Sequence, residues 1–241
     1  MNILAIGAHP DDLDISCGGT LLRFRQAGEN VVMCVVTDGR AHPLGDPEQV
    51  SARRRREAQD SADLVGAELV WLGFPDGRLA DDIPTRLRFI ELMMRVSPDL
   101  IITHSPDDYH ADHMLTSRLA TATIQMAWAP PPELRGEPVR KQVPVAFMPP
   151  AAGINFLPEE YVDITEVWDT KLQMALSHRS QYLPGPDYDS VTIQEPLEQY
   201  SFARYTRITD EFYGQQCWCR YAEAFRWWRA ADRLVPRRLL P

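Results

Sequence analysis

The chain has few cysteines and no long hydrophobic run. Its 241 residues include four cysteines, which are scattered or stand at a Cys-x-Cys spacing too tight for an ordinary bridge: Cys17, Cys34, Cys217 and Cys219. We interpret them as free thiols in a reducing compartment. No apolar run approaches the ~18 residues that span a bilayer, and the first residues lack the basic start and cleavage site of a signal peptide. We therefore expect a cytoplasmic protein with no membrane partner.

Basic residues are also in deficit, since the formal net charge is −9 at pH 7. No basic stripe accompanies an aromatic platform, which argues against a nucleic-acid partner. A hydrophobic content of 44% in 241 residues is enough to bury the core of one substantial domain. We expect residues 1–241 to form a single domain without internal repeats or low-complexity segments.

Strand and helix patterns alternate along the chain, which is typical of an α/β fold. Strand patterns cover residues 2–8, 31–37, 68–72, 99–103 and 143–148. Helix patterns cover residues 19–26, 50–65, 84–96, 113–127 and 165–177. The alternation predicts a Rossmann-like, mostly parallel sheet with helices on both faces, followed by a C-terminal cap region. We interpret residues 226–238 as an amphipathic terminal helix, with a contact in a homo-oligomer as a second interpretation.

Three titratable side chains follow the first apolar run, at the point where a strand would end: His9, Asp11 and Asp12. Adjacent carboxylates repel each other, and a loop at the carboxyl edge of a sheet tolerates them mainly when a cation or a proton-transfer role uses them. The imidazole and the second carboxylate can bind a metal, while the first carboxylate stays free to take a proton from water. The alternative is an Asx turn that only caps the following helix.

A second polar cluster, residues 104–113, follows the strand pattern at 99–103. In one parallel sheet the two loops open at the same edge, where ligands bind in open α/β folds. The cluster begins with His104 and ends with the segment His110-Ala111-Asp112-His113. A lone histidine is usually a surface residue or a satisfied core residue, and we interpret His42 and His104 in this way.

These residues together resemble the PIG-L/LmbE-like family of metal-dependent N-deacetylases. The hallmarks of that family are an Ala-His-Pro-Asp-Asp segment near the start and a His-x-Asp-His segment in mid-chain, which here are residues 8–12 and 110–113. The likeness extends over most of the chain through pieces that would be weak alone, at residues 17–20, 54–58, 73–77, 171–181 and 221–225. The pair of metal motifs is the specific part of the resemblance.

The resemblance implies that three residues bind a metal: His9, Asp12 and His113. It also implies Asp11 as the general base and His110, in its cationic form, as the partner of the developing oxyanion. Three protein ligands leave an open position for water, as in a catalytic metal site. The implied cofactor is Zn²⁺, and two histidines with one carboxylate also suit Fe²⁺.

Four further residues enter the site with the resemblance. Asp112 can orient an imidazole, as carboxylates do for metal-binding histidines. Arg54 stands in an Arg-x-x-Glu segment and is implied to contact the substrate or to position a loop. The neighbours of Asp76 alone indicate a turn, and the resemblance implies that Asp76 faces the substrate. His178 is a candidate for the wall of the site, or else it complements the dipole at the end of a helix.

Three classes of function compete for this sequence. The first is metal-dependent hydrolysis of the amide of an N-acyl amino sugar, such as N-acetylglucosamine, or of its conjugate. The second, found among family relatives, is hydration of an unsaturated dicarboxylic acid, for which Arg54 and Arg179 can bind the carboxylates. The third is a noncatalytic dinucleotide- or sugar-binding protein. Carboxylates in the first turn argue against a bound phosphate, and a noncatalytic relative would be expected to lack a ligand or the base. The acidity of the chain and Asp76 favour the first class.

Overall fold

The computed structural model describes residues 1–41, 45–183, 191–194 and 196–230 of the chain. His42, interpreted as a surface or core residue, lies outside them. Strands and helices alternate from Asn2 to Met148, so the α/β class predicted from the sequence is confirmed. Within the described ranges, no helix is both long enough and apolar enough to cross a membrane.

One seven-stranded sheet forms the centre of the molecule. Its strands are β1 (Asn2–Gly7), β2 (Asn30–Thr37), β3 (Glu68–Phe74), β4 (Leu100–His104), β5 (Val145–Met148), β6 (Glu160–Asp163) and β7 (Ala222–Trp227). They lie in the order β3-β2-β1-β4-β5-β7-β6. The first five strands pair in parallel, whereas β7 pairs antiparallel with both β5 and β6. The mostly parallel sheet is thus confirmed, and the carboxyl ends of β1 to β5 meet at one edge.

Helices cover both faces of the sheet, as predicted. They are α1 (Asp12–Gln26), α2 (Pro47–Val65), α3 (Ile83–Val96), α4 (Ala111–Met126), α5 (Trp168–Ser177) and α6 (Ser201–Cys217). Successive strand side chains point to opposite faces. Ile3 and Ala5 of β1 therefore share a core with α1, α2 and α5. Leu4 and Ile6 share the other core with α3 and α4.

Helix α1 begins at Asp12, well before the predicted start at residue 19. Two successive glycines have low helix propensity, but tertiary packing outweighs it here. A Cβ atom on Gly19 would lie 2.7 to 2.9 Å from side-chain atoms of Ile164, the residue after β6. The absence of a side chain at this position lets the two segments approach closely. The early start places Asp12 in the first helical turn, next to the turn that holds His9.

The described part of the predicted terminal helix, residues 226–230, is not helical, so that prediction is wrong there: residues 226–227 end a strand, and residues 228–230 have no regular secondary structure. Strand β7 includes Arg226 and Trp227, and the next residue, Trp228, donates its backbone N–H to the Val145 carbonyl at 2.8 Å. Residues 226–227 pair with β5 instead, and the backbone N–H of Trp227 donates to the Glu159 carboxylate at 3.0 Å, so partners outside the segment satisfy groups that a helix would satisfy internally. Residues 231–238 of the predicted helix lie outside the described part of the chain.

The C-terminal cap contains α5, α6, β6 and β7 and encloses a buried ion cluster. The ammonium group of Lys171 on α5 lies 2.7 Å from Asp210 on α6 and 2.8 Å from Glu223 on β7. These three side chains are no more than 2% exposed. Glu223 also accepts the backbone N–H groups of Gly19 and Thr20, at 2.8 and 2.7 Å. The cluster therefore joins α1 to the cap.

We predict that Gly19→Ala destabilises the protein by about 1–3 kcal/mol, because the new methyl group overlaps the stiff side chain of Ile164. The matched control is Gly18→Ala, which gains the same helix propensity, meets the flexible end of Met174 at 3.0 Å and otherwise makes an ordinary contact with Lys171 Cγ at 3.5 Å. Denaturant unfolding of both variants and the parent protein measures the difference. Equal stability of the two variants would contradict close packing at Gly19.

Candidate active site

The two polar clusters lie at the same edge of the sheet, as the sequence predicts. Strands β1 and β4 are parallel neighbours, with Ile6 opposite Thr103, so the loops that follow them open side by side. The first loop leads into α1 at Asp12 and the second into α4 at Ala111. Short loops between strand and helix leave the polar side chains little freedom to move apart.

Three side chains converge at the centre of this edge: His9, Asp12 and His113. His9 Nδ1 lies 3.1 Å from His113 Nε2 and 3.4 Å from Asp12 Oδ2. His113 Nε2 lies 3.4 Å from Asp12 Oδ1. In a tetrahedral site with metal–ligand bonds of about 2.0–2.1 Å, ligand atoms are roughly 3.3–3.4 Å apart. Both the donor types and their spacing therefore fit a divalent metal.

Further carboxylates face the outer nitrogens of both histidines. His9 Nε2 lies 3.3 Å from Asp76 and 3.6 Å from Asp112. His113 Nδ1 lies 3.1 Å from Asp108. Carboxylates in such positions orient imidazoles and raise their basicity. Asp112 thus contacts an imidazole as expected, Asp76 contacts His9, and Asp108 joins the site although no sequence motif singles it out.

The carboxylates control the protonation of the two histidines. Burial alone would lower the pKa of His9, but the charge of Asp12 and hydrogen bonds to the surrounding carboxylates outweigh it and raise the pKa to about 12. At His113, burial again lowers the pKa, but Asp12 and Asp108 outweigh it and raise the pKa to about 9. Carboxylates that hold protons this tightly also attract metal cations.

His104 belongs to this site, so its interpretation as an ordinary surface or core histidine is incomplete. It is 3% exposed, and its ring stacks on that of His113 with centroids 4.0 Å apart. Its Nε2 lies 3.1 Å from Asp12 and accepts the backbone N–H of Ala8 at 2.9 Å. Because that lone pair is engaged, His104 is less suited than His9 to bind a metal. Its place at the carboxyl end of β4 is the one feature of the sequence that could have assigned it to the site.

Arg54 contacts the carboxylate of Asp11, with Nη2 donating to Oδ1 at 2.8 Å. The arginine is 5% exposed, and its Nη1 donates to the Gly39 carbonyl at 3.3 Å. Gly39 has a φ of +63°, and a Cβ atom there would lie 2.7 Å from the guanidinium group. A glycine is therefore required for this contact. Of the two roles expected for Arg54, these contacts match loop positioning rather than substrate binding.

His110 precedes α4 as its N-cap, and its Nδ1 accepts the backbone N–H of Asp112 at 3.2 Å. Its ring lies against those of His9 and His113, with centroids 4.6 and 4.8 Å apart. Burial and the charges of His9 and His113 lower the pKa of His110. The neutral ring carries its proton on Nε2, because Nδ1 is an acceptor. This state differs from the cationic form expected from the sequence.

His178 lies behind the site and not on its wall. It is completely buried, and its Nε2 lies 2.9 Å from Asp14 of α1. Asp14 also accepts a hydrogen bond from Ser61 of α2. The expectation that His178 contacts a substrate is therefore corrected, because the packing of α1 and α2 against the end of α5 encloses its ring. The residue joins these helices.

A cavity of about 300 Å³ opens beside the converging side chains. Its polar lining consists of Asp11, Asp12, Ser16, His104, Asp108 and His113. Its apolar and aromatic lining consists of Ile15, Tyr109, Pro149, Pro150, Ala151, Phe202 and Tyr205. Among the described residues, no lysine or arginine lines it. The volume is at the lower end of the roughly 300–1,000 Å³ typical of small-molecule sites.

A family model described as PIG-L, GlcNAc-PI de-N-acetylase, matches residues 4–124. The 1D-myo-inositol 2-acetamido-2-deoxy-alpha-D-glucopyranoside deacetylase 2 of Saccharopolyspora erythraea is 30% identical over an alignment of 261 positions, which covers 83% of this chain and 92% of that protein. The 4-oxalmesaconate hydratase of Pseudomonas putida is 28% identical over 179 positions, which cover 70% of this chain and 69% of the hydratase.

A solved structure shares the fold. It is the N,N'-diacetylchitobiose deacetylase of Pyrococcus horikoshii, complexed with an inhibitor, which superimposes with a TM-score of 0.79. Its sequence identity to this chain is 25%, and the match covers 94% of this chain and 83% of the deacetylase chain. The similarity extends beyond the segment that the family model matches and includes the C-terminal cap.

We predict that His9, and not His104, is a metal ligand. His9→Ala should lose its metal on dialysis, whereas His104→Gln removes only a neighbouring group and should weaken metal affinity by about 10–100-fold at most. Elemental analysis, followed by competition with a chelator, measures both effects. Retention of metal by the His9 variant together with its loss from the His104 variant would assign the site to the other histidine.

We also predict that metal binding at pH 7 releases at least one proton per ion, because the raised pKa values of His9 and His113 keep a proton on the pair beforehand, in the 3.1 Å contact between His9 Nδ1 and His113 Nε2. The apparent affinity should rise between about pH 6 and pH 9, as fewer protons compete for the same nitrogens. Calorimetric titration in buffers of different ionisation enthalpy counts the protons. An affinity that does not change with pH would contradict this charge state.

Proposed function

Because this chain belongs to the PIG-L family of de-N-acetylases, we propose that it hydrolyses the amide of an N-acetyl amino sugar, or of a conjugate containing one, to a free amine and acetate. The observation that carries the proposal is the convergence of His9, Asp12 and His113 next to a cavity that Asp12, His113 and the neighbouring Asp11 line. The names of two relatives, a diacetylchitobiose deacetylase and an acetamido-glucopyranoside deacetylase, support the amino-sugar class.

We assign metal binding to His9, Asp12 and His113, with Zn²⁺ as the expected ion and Fe²⁺ as the alternative. A divalent metal held there would polarise the amide carbonyl and lower the pKa of a water molecule. The carboxylates that face the outer nitrogens of His9 and His113 keep both rings in orientation.

Asp11 is assigned the proton transfer. It lines the cavity next to Asp12, and Arg54 orients its carboxylate. As the water oxygen forms a bond with the carbonyl carbon, the proton that water loses passes to Asp11. When the carbon–nitrogen bond breaks, the same carboxyl group returns the proton to the departing amine. The second proton of the water stays on the new carboxyl group, which ionises to acetate, so one water is consumed and Asp11 ends in its initial state.

His110 stabilises the negative charge that develops on the carbonyl oxygen. Its Nδ1 is occupied by the backbone N–H of Asp112, so the Nε2–H group is the donor. A ring nitrogen of His110 lies within 4.8 Å of ring nitrogens of His9 and His113, close to the place where the carbonyl would be bound. A neutral imidazole in a fixed position can stabilise an oxyanion through this hydrogen bond.

Hydration of an unsaturated dicarboxylic acid is the second candidate function, because the match to the Pseudomonas putida hydratase covers 70% of this chain. A dicarboxylate favours cationic partners. In the described part of the chain, neither Arg54 nor Arg179 lines the cavity, whereas three carboxylates do: Asp11, Asp12 and Asp108. This lining favours a neutral amide over a dianion.

The decisive assay is amine release from N-acetylglucosamine and from diacetylchitobiose by the metal-loaded protein. An unsaturated dicarboxylic acid is tested in parallel, with Zn²⁺ and with Fe²⁺. Amine release supports the proposal, and hydration of the dicarboxylate without amine release would favour the second candidate.

Asp11→Asn should retain its metal but lower kcat by about 10²–10⁴-fold, because only the proton transfer is removed. The matched control is Asp107→Asn, which changes an exposed carboxylate at the same sheet edge that does not line the cavity. Elemental analysis and steady-state kinetics of the two variants provide the comparison. Near-normal turnover by Asp11→Asn would assign the base to another residue.

A further inference from the structure

The cavity has a second wall to which the proposed chemistry gives no role. Its main components are Phe202 and Tyr205, from the first turns of α6, and Pro149 and Pro150, which follow β5. We infer that this wall is the platform on which the pyranose ring of the substrate lies, and that it determines which acylated amino sugars the protein accepts. The inference rests on the proposed function.

The chemistry of a pyranose ring matches a cavity with two unlike walls. The ring C–H groups form apolar faces, while the hydroxyl and amide groups form a polar rim. Aromatic rings and prolines offer an apolar surface to such a face, and the phenol of Tyr205 adds a polar end. The carboxylates and imidazoles of the other wall can bind the rim. The same molecule therefore contacts both walls when its amide reaches His9, Asp12 and His113.

The charge and size of the cavity narrow the class of ligand further. Among the described residues, its lining carries three carboxylates and neither lysine nor arginine, so a phosphate or carboxylate group on the ring would be repelled. A volume of about 300 Å³ accommodates one monosaccharide unit but not an extended chain. A neutral N-acyl hexosamine meets both requirements, since it is uncharged and consists of one sugar unit. Any further group attached to it would extend out of the open side of the cavity.

The wall is held rigidly relative to the metal-binding edge. Asp210, farther along the same helix α6, lies 2.7 Å from the ammonium group of Lys171 and 3.1 Å from Nε1 of Trp168. The same cluster contacts α1 through Glu223, which is bound to Lys171 at 2.8 Å. A shared anchor for α6 and for the helix that begins at Asp12 fixes the spacing of the two walls. Such pre-organisation is what a specificity-determining surface requires.

The wall also comes from a different part of the sequence than the polar residues. The family model ends at residue 124, so it includes His9, Asp12 and His113 but none of residues 149–150 and 202–205. The chemistry of the family is thus carried by one segment of this chain, and the aromatic platform by another. Relatives with the same polar residues can differ in this platform.

The test uses Phe202→Ala and Tyr205→Ala, with Phe212→Ala as the matched control. Phe212 is on the same helix and is 58% exposed, but it does not line the cavity. Each metal-loaded variant is assayed with N-acetylglucosamine and with N-acetylethanolamine, an acyclic amide without a ring. Binding of N-acetylglucosamine is also titrated by calorimetry in the Asp11→Asn background, so that affinity is measured independently of turnover.

We expect KM for N-acetylglucosamine, and its Kd in the Asp11→Asn background, to rise about tenfold in either wall variant. The metal content and kcat/KM for the acyclic amide should stay at the parent values, and Phe212→Ala should match the parent throughout.

An unchanged Kd for the sugar in both wall variants would overturn the inference, as would equal losses with the sugar and the acyclic amide. Failure of the parent protein to release amine from any acylated sugar would count against the proposed function instead, and the calorimetric titration would still decide the role of the wall.

Discussion

The ammonium group of Lys171 is the charge on which the arrangement of the C-terminal half depends. It is completely buried between Asp210 and Glu223, so that one positive group faces two carboxylates. Burial raises the pKa of Asp210 to about 7, with Lys171 opposing and Glu223 adding to the effect. Removal of one partner from a buried ion group typically costs about 3–5 kcal/mol, because the remaining charges stay unpaired. The positions of α1, α5, α6 and β7 are therefore coupled through a single side chain.

The edge of the sheet that holds His9 and His113 also has more carboxylates than cations, but no lysine or arginine in the described residues takes the place that Lys171 takes in the cap. Carboxylates surround His9 and His113, and they raise the pKa values of both rings in the absence of another cation. In the cap, the cation is the ammonium group of Lys171, which is covalently part of the protein and cannot dissociate. At the edge, under the proposed function, an exchangeable metal ion takes that place. Under the proposed function, this contrast separates a cluster that stabilises the fold from one that performs chemistry.

The sequence predicts the residues that converge at the sheet edge better than it predicts the residues around them, and the reasons are physical. Like-charged residues after an apolar run have few structural explanations, so the meeting of His9 with His113 could be anticipated from two motifs. Asp108 acquires its position beside His113 only when α4 packs next to β4, and single acidic residues in loops have no distinguishing pattern. His178 lies in a family-like segment, yet its burial depends on helix packing that spacing does not reveal. Pairing with β5 likewise decides the conformation of residues 226–227.

The polar wall of the cavity and its aromatic wall come from separate segments of the chain, and this separation affects how such proteins can evolve. A substitution in the first turns of α6 changes the surface that a ring would contact, while every polar side chain at the sheet edge keeps its neighbours. Buried salt bridges hold the backbone of α6, so its exposed positions can vary without loss of the fold. After gene duplication, one copy can therefore acquire a new substrate through a few changes in a single helix and retain its inherited reaction.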